Sequence, residues 1–422
     1  MTVLDTLRER GFIYQQTHEQ ELENHLQQNR TFYVGFDPTA DSLHIGHLVP
    51  VMAMVHMQKA GHQAIALVGG GTARVGDPSG KSEMRQMLTS NELDANSKKI
   101  EQQLKRFLNL DGKQGMLLDN KDWLMKLNYI DFLREVGSRF SVNRMLTAES
   151  VKLRLEKGLS FLEFNYMILQ AYDFYVLLRD HNCSLQLGGQ DQWGNIVAGD
   201  DLCRRMGLEK DTFGITLPLL MNSSGTKFGK TEKGALWLDA SKTSPLEYYQ
   251  YFRNSDDADI EKLMKIFTFL PVQEIASLVQ ANANRAKEIL AFEACKICHG
   301  PDAAAKAYAT AVNQFGSADP DKKITTSSEI VKIDVQAHLE VPTFAVEKKD
   351  LMEMNWAALV NAAGFTSSKG EARRLIKGRG VRFEDTVIEN AEDKVPSEVY
   401  ASGSFLLRVG KKKFKKIEVK NG

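Results

Sequence analysis

An α/β fold built on a parallel sheet is predicted by three observations. A short apolar run closes at Tyr33-Val-Gly-Phe36, and a second one runs from Ala64 to Val68. The residues between them follow helical spacing, with Met52, Val55 and Met57 on the apolar side. Each run ends in turn chemistry, Asp37-Pro-Thr39 after the first and Gly69-Gly-Gly71 after the second. Strand, helix and strand in that order make one βαβ unit, the seed of a parallel, nucleotide-binding sheet.

The remaining elements extend this unit. Residues 1–30 read as two short helices leading into the sheet, the second a charged segment from His18 to Gln28. Pro50 falls inside the first long helix, where it removes one backbone hydrogen bond and is expected to kink the chain. A charged helix from about Asn91 to Leu110 carries Ile100, Leu104, Phe107 and Leu108 on one stripe, and Gly115 to Leu118 re-enters the sheet. Residues 121–182 are mostly helical and interrupt the sheet; Ser184 to Leu187 is a further strand. Residues 245–314 form a helical domain opening on Tyr248, Tyr249, Tyr251 and Phe252, an aromatic cluster that reads as core. The polar stretch from Ser317 to Ser328 reads as a linker, and a last domain begins near Val341.

At 422 residues the chain suggests about three domains. With 43% hydrophobic and 26% charged residues it has the composition of a soluble globular protein. No apolar run nears the roughly 18 residues that span a bilayer, and Met1 to Arg10 lacks a signal-peptide core, so a cytoplasmic protein is expected. Net charge is zero, but from Ser368 to Gly422 there are 14 Lys and Arg against 8 Asp and Glu, a surplus of +6 that leaves −6 for the first 367 residues. That asymmetry points to an RNA partner at the C-terminal end. The four cysteines give no disulfide framework. Cys295-Lys-Ile-Cys298-His299 matches the c-type haem attachment pattern, but it lies in a helical stretch with Ile289, Leu290, Phe292 and Ile297. The cysteines therefore read as small hydrophobes, and neither haem nor a protein-bound metal is expected.

The chemistry concentrates in the turn after the first strand. His44 and His47 are three apart and share one helix face; Ser42, as N-cap, would place both in the first turn. Free backbone N–H groups and the helix dipole favour an anion there, and two imidazoles add donors. Gly46 between them leaves the helix surface bare, at about 1 kcal/mol relative to alanine, which suggests that something approaches the backbone. A surface histidine pair or half a metal site would share the spacing. Gly80-Lys81-Ser82 invites a P-loop reading, but the glycine that pattern needs five residues earlier is Val75.

His44-Ile-Gly-His47 resembles the first signature of the class I aminoacyl-tRNA synthetases, and Lys227-Phe-Gly-Lys230-Thr231 resembles their second, lysine-bearing signature with its middle letters changed. Between them, Tyr166-Met-Ile-Leu-Gln170-Ala-Tyr-Asp173 and Gly188-Gly-Gln-Asp191-Gln192-Trp-Gly-Asn195 are similar to the bacterial tyrosyl-tRNA synthetase family, and the resemblance covers essentially the whole chain. It implies a Rossmann-type catalytic domain over 1–226 with a helical connective insertion at about 121–182. A mobile signature loop and helical domain over 227–316, a linker over 317–340 and a small α+β S4-like RNA-binding domain over 341–422 would follow. It also implies a homodimer formed through the insertion, for which Phe132, Leu133, Phe140 and Met145 are apolar candidates; an intramolecular core would use the same residues.

The implied reaction joins the carboxylate of L-tyrosine to the α-phosphorus of ATP, with Mg2+ carried by the nucleotide, and then transfers the tyrosyl group to tRNA(Tyr). The attacking carboxylate is already ionised, so positioning and charge stabilisation are what the site must supply. By resemblance Thr39, His44 and His47 face the phosphates, while Lys81, Arg85, Lys227, Lys230 and Thr231 hold the leaving pyrophosphate. Tyr33 and Asp173 match the positions that bond the phenolic hydroxyl, a site that rejects phenylalanine because its polar groups would be buried unpaired. Asp77, Tyr166 and Gln170 match the ammonium acceptors, Asp37 and Gln192 line the same pocket, and Gly35, Gly46 and Asp191 adjoin the nucleotide. Asp173 paired with Arg179 is the structural alternative. Val34 replaces a cysteine common among relatives, and Phe228-Gly229 replaces Met-Ser. Lys369, Arg373, Arg374, Lys377, Arg379 and Arg382, with a tail from Lys411 to Lys416, would contact tRNA. The tryptophanyl family shares both signatures, but the Tyr33 and Asp173 pair argues against it. A non-catalytic RNA-binding paralogue would have no reason to keep His44, His47, Lys227 and Lys230.

Overall fold

The computed structural model describes residues 2–79, 88–155, 158–231, 234–338, 343–384, 386–397, 403–410 and 413–420. They fall into two compact units, one comprising residues 1–304 and 321–331, the other 305–320 and 332–422.

The first unit is built on six strands, β1 (Gln15–Gln16), β2 (Thr31–Phe36), β3 (Gln63–Val68), β4 (Gly115–Asp119), β5 (Cys183–Gly189) and β6 (Phe213–Leu217). Their order is β1-β6-β5-β2-β3-β4, parallel throughout except for β1 at the edge. β3 and β5 are buried almost end to end, as strands covered on both faces must be. On one face Tyr33, Ile65 and Leu67 pack with Phe174, Leu177 and Leu178 of the helix Tyr166–His181. The helix Ile45–Lys59 buries Leu48, Val51, Met52 and Met57, and runs through Pro50 without a break. The charged helix occupies Ser90–Phe107, started by a Thr89 and Glu92 capping box.

The insertion comprises short helices, among them Tyr129–Glu135, Val142–Leu146 and Phe161–Phe164, which lead into the long helix Tyr166–His181. Its candidates for an intersubunit face divide. Met145 is buried in an intramolecular cluster with Val136, Val151 and Met167, and Phe132 and Phe140 pack against it, whereas Leu133 is exposed beside Tyr129 and Ile130. For Met145 the interface expectation is therefore corrected: the side chain is already spent on this unit's own core.

Helices Pro245–Arg253, Ile260–Phe267, Val272–Ala281 and Ala283–His299 follow within the same unit. Tyr248, Tyr249 and Phe252 are fully buried, as their reading as core requires. Cys295 and Cys298 lie in the last of these helices, their Sγ atoms against the carbonyls of Pro245 and Leu238. Burial pushes the Cys298 thiol up to about 12 and raises Cys295 as well. The polar stretch after Ser317 is held rather than loose, because Thr326 donates to Glu274 at 2.7 Å and Ser328 to Glu293 at 2.6 Å.

The second unit carries a five-stranded sheet of β9 (Thr343–Glu347), β10 (Val381–Phe383), β11 (Thr386–Val387), β12 (Ser404–Val409) and β13 (Lys413–Lys420), in the order β11-β10-β12-β13-β9. Helices Trp356–Ala362 and Lys369–Lys377 complete a core of Leu359, Ile376, Leu407 and Ile417. The expected basic tail is corrected here. Lys413–Lys420 pairs with β12 on one side and β9 on the other, and Lys415 donates to the carbonyl of Ala363. Lys411 and Lys412 lie outside the described residues.

Candidate active site

The carboxyl ends of the parallel strands carry the site, where the turns of an open α/β sheet leave a crevice. β2 delivers Asp37, β3 the glycines and Thr72, β4 Asp119 and Asn120, and β5 the turn Gln190–Gln192.

Tyr33 lies within β2 and is 1% exposed, with no hydrogen-bond partner for its hydroxyl among the described residues. Asp173, 2% exposed, comes from the facing helix. Its Oδ2 accepts from Asn120 Nδ2 at 2.9 Å and its Oδ1 from Trp123 Nε1 at 2.7 Å. Burial pushes this carboxyl up to about 8, against the pull of those two donors. Burial, and then the charge of Asp173, raises the Tyr33 hydroxyl far above its ordinary range. Arg179 pairs instead with Asp180 at 2.6 Å, so the alternative partner for Asp173 is eliminated.

A second group sits beside this pair. Tyr166 donates to Asp37 Oδ2 at 2.9 Å, and Asp37 Oδ1 accepts from Thr72 Oγ1 at 2.8 Å. Burial, then the charges of Asp37 and Asp77, hold the Tyr166 proton in place. Asp77 accepts from Ser79 N at 2.9 Å and from Gln192 Nε2 at 2.8 Å. Buried Asn195 gives its amide hydrogens to Gln192 Oε1 at 2.9 Å and Gln170 Oε1 at 3.1 Å. Asp37 with Tyr166, and Asp77 with Gln192 and, through Asn195, Gln170, thus form two hydrogen-bonded groups, rich in acceptors and each holding a carboxylate, suited to a cation that also offers hydrogens. Asn120 joins Asp173 to the Asp37 group, since it also donates to Thr72 Oγ1 at 2.9 Å and accepts from Gly71 N at 2.7 Å.

The histidine turn differs from its sequence reading. The N-cap of the helix is His44, whereas Ser42 is buried and hydrogen bonded to Leu43 and Gln103. His44 Nδ1 accepts from Gly46 N at 3.1 Å, and His47 Nδ1 accepts from His44 N at 3.2 Å, a reciprocal cap made by two imidazoles whose rings stack 3.9 Å apart. Ile45 N is taken by Leu236 O and His47 N by His44 O. The free N–H groups expected to meet an anion are consumed, and with both Nδ1 atoms accepting, each ring carries its proton on Nε2 as a donor. Gly46 is needed first for the cap, because a Cβ there would lie 2.9 Å from His44 Cε1.

The second signature packs directly on this turn. Gly229, at φ +90°, lies against Ile45, where an added Cβ would come within 2.0 Å of Cγ2; no larger residue fits. Phe228 is sunk among Tyr251, Phe252 and Phe267. These contacts account for the two changed letters. Lys227 and Lys230 flank the buried glycine and are exposed. Thr39 and Asp191 are also exposed at the strand ends, and the side of Gly35 is open space. Val34 is buried. Lys81 and Arg85, and the side chain of Thr231, lie outside the described residues. Lys369, Arg373, Arg374, Lys377, Arg379 and Arg382 are all exposed on the second unit, with Arg373 paired to Glu392 at 2.6 Å and Arg379 to Glu389 at 3.5 Å. Sequence reasoning missed Asn120, Trp123, Thr72 and Asn195 as site residues. The first three follow strand ends, and that placement was the signal available.

Residues 25–316 match the family model of the class I tRNA synthetases (W and Y). The chain is 49% identical over 433 aligned positions to the tyrosine–tRNA ligase of Desulfosudis oleivorans, covering all of both, and 48% identical to that of Clostridium tetani, covering 99% of each. Among solved structures, it resembles a C-terminally truncated mitochondrial tyrosyl-tRNA synthetase of Aspergillus nidulans, with a TM-score of 0.66 and 30% identity, over 74% of this chain and 94% of that one.

Proposed function

This chain belongs to the class I tRNA synthetases of the tryptophan and tyrosine family, and from that premise we propose how its residues divide the work. It activates L-tyrosine with ATP to tyrosyl-adenylate and transfers the tyrosyl group to the 3′-terminal adenosine of tRNA(Tyr). The observation that carries the choice of tyrosine is the phenol end of the pocket. Tyr33 has a buried hydroxyl without a partner among the described residues, and Asn120 and Trp123 clamp Asp173. A substrate O–H, which both donates and accepts, supplies the missing partner; a phenyl ring would leave the Tyr33 hydroxyl unpaired, and an indole offers a donor only.

At the other end the ammonium group is received by Asp77, Tyr166 and Gln170, with Asp37 and Gln192 holding these acceptors in register. The carboxylate then faces the α-phosphorus without needing a base. His44 and His47 present Nε2–H donors to the phosphates, joined by Thr39, and Gly35, Gly46 and Asp191 adjoin the nucleotide. Lys81, Arg85, Lys227, Lys230 and Thr231 take charge that builds on the departing pyrophosphate, where a cation stabilises the transition state more than the ground state. Mg2+ arrives with ATP.

We read residues 1–226 as catalytic, 227–316 as loop and helical domain, 317–340 as connection, and 341–422 as an S4-like module holding tRNA through Lys369, Arg373, Arg374, Lys377, Arg379 and Arg382. A homodimer through the exposed Tyr129, Ile130 and Leu133, in the cytoplasm, completes the proposal; among the described residues no helix is long and apolar enough to cross a membrane. The test is exchange of labelled pyrophosphate into ATP, run without tRNA on all twenty amino acids. Exchange with tyrosine alone, abolished in Lys230→Ala, is the expected result; exchange with tryptophan would overturn the phenol-site argument.

A further inference from the structure

Gly229 stands between the two lysines of the second signature, and its backbone is held from three sides. Its N–H donates to the Tyr251 hydroxyl at 2.7 Å, its carbonyl accepts from Leu236 N at 2.9 Å, and its Cα faces Ile45. Leu236 returns the link to the histidine helix, taking Ile45 N on its carbonyl at 2.9 Å. Tyr251 itself is fixed in the helix Pro245–Arg253, its ring edge-on to Phe228 at 5.0 Å and to Phe252 at 6.1 Å.

A glycine at φ +90° is the freest point of a backbone, and here it separates two exposed cations whose value depends on where they stand. We propose that the Tyr251 hydroxyl is a positioning group for amino-acid activation: by accepting the Gly229 N–H it sets the height of Lys227 and Lys230 against the His44 and His47 turn. The inference rests on the reading that these lysines stabilise the leaving pyrophosphate. Tyr251 need not touch substrate. It acts through backbone placement, and a misplacement of about 1 Å can cost on the order of a hundredfold in rate. Ser223 N bonded to Asp259 at 2.8 Å, and Lys262 bonded to the carbonyl of Met221, hold the other arm of the same loop. Phe228 N bonded to Leu220 O at 2.8 Å, with Lys227 paired to Met221 and Lys230 to Ala235, keeps the loop docked, so loss of the Tyr251 acceptor shifts Gly229 and the lysines beside it without freeing the loop.

Tyr251→Phe keeps the ring contacts and removes the acceptor. In the full-length protein we expect the single-turnover rate of tyrosyl-adenylate formation to fall roughly tenfold, as for a hydrogen bond whose partner is left unmade. KM for tyrosine and the rate of transfer from preformed adenylate to tRNA should stay unchanged, and Tm should fall by a few degrees at most, the cost of one unpaired backbone N–H. A parent-like activation rate would overturn the proposal. So would a parallel loss in activation, transfer and Tm, which is the signature of a structural role. Lys230→Ala separates the two levels. If it slows activation while Tyr251→Phe does not, the positioning proposal alone fails; if it leaves activation unchanged, the reading of the loop fails and the proposal with it.

Discussion

Tyr33 carries a buried hydroxyl with no hydrogen-bond partner among the described residues. Leaving such a group unpaired costs about 1–3 kcal/mol, a cost that substrate binding would remove. Tyr33→Phe should therefore behave in opposite ways in the two states. The free protein is expected to melt at the same temperature or slightly higher, because the unpaired oxygen is gone. KM for tyrosine should rise roughly tenfold, and the preference for tyrosine over phenylalanine should fall by a similar factor. Paired melting curves and pyrophosphate exchange with both amino acids check this, and a destabilised variant with undiminished selectivity would contradict it. Sequence alone identified Tyr33 and Asp173 but not what holds Asp173 still. Asn120 and Trp123 lie about 50 residues away along the chain, and only the sheet brings β4 beside the helix that bears Asp173.

At the scale of elements, the three glycines closing β3 look like a phosphate loop and serve another end. A Cβ on Gly69 would lie 1.9 Å from Asp37 Oδ1, one on Gly70 2.4 Å from Asp119 Oδ1, and one on Gly71 2.9 Å from Leu124 Cδ1. The strand ends in glycine so that side chains from β2 and β4 can cross over it. Gly69→Ala should push Asp37 out of its bonds to Tyr166 and Thr72, raising KM for tyrosine by roughly tenfold or more while leaving the ATP-facing loop intact. Steady-state kinetics with each substrate varied in turn would show the asymmetry; equal losses for both substrates would refute it. The helix after β2 was legible from His44 and His47, but its start was not. Ser42 is the better N-cap by general preference, and His44 takes the position because His47 closes the reciprocal bond. Local propensity cannot anticipate a cap that depends on two rings stacking.

Across the whole molecule, the βαβ seed, the helical insertion and the helical part were legible from periodicity, whereas the basic C-terminal stretch read as a tail is a central strand, because its partners β12 and β9 are set by long-range pairing. The same long-range packing fixes how stability responds to acid and alkali. His25, His56 and His299 are buried away from their ordinary value of 6.5, to about 4, about 3 and about 4, chiefly by desolvation. His56 lies between Phe12 and Phe269 with Nε2 unpartnered among the described residues. Between pH 6.5 and about 4 the unfolded chain holds protons on these three rings that the folded protein refuses, so acid destabilises. Asp173 has the opposite sign. From 3.8 to about 8 the folded protein keeps a carboxyl proton that the unfolded chain has lost, so rising pH destabilises across that window. Three groups outweigh one below pH 6.5, and above it Asp173 acts without them. Tm should therefore pass through a maximum near that pH, falling more steeply on the acid side. Replacing His56 with leucine should flatten the acid limb, and Asp173→Asn should flatten the limb from 6.5 to 8, both read by thermal melts across pH. A Tm that keeps rising from pH 6.5 to 8 in the parent protein, unaltered in Asp173→Asn, would show that the buried carboxyl is ionised throughout and that its two donors outweigh its burial.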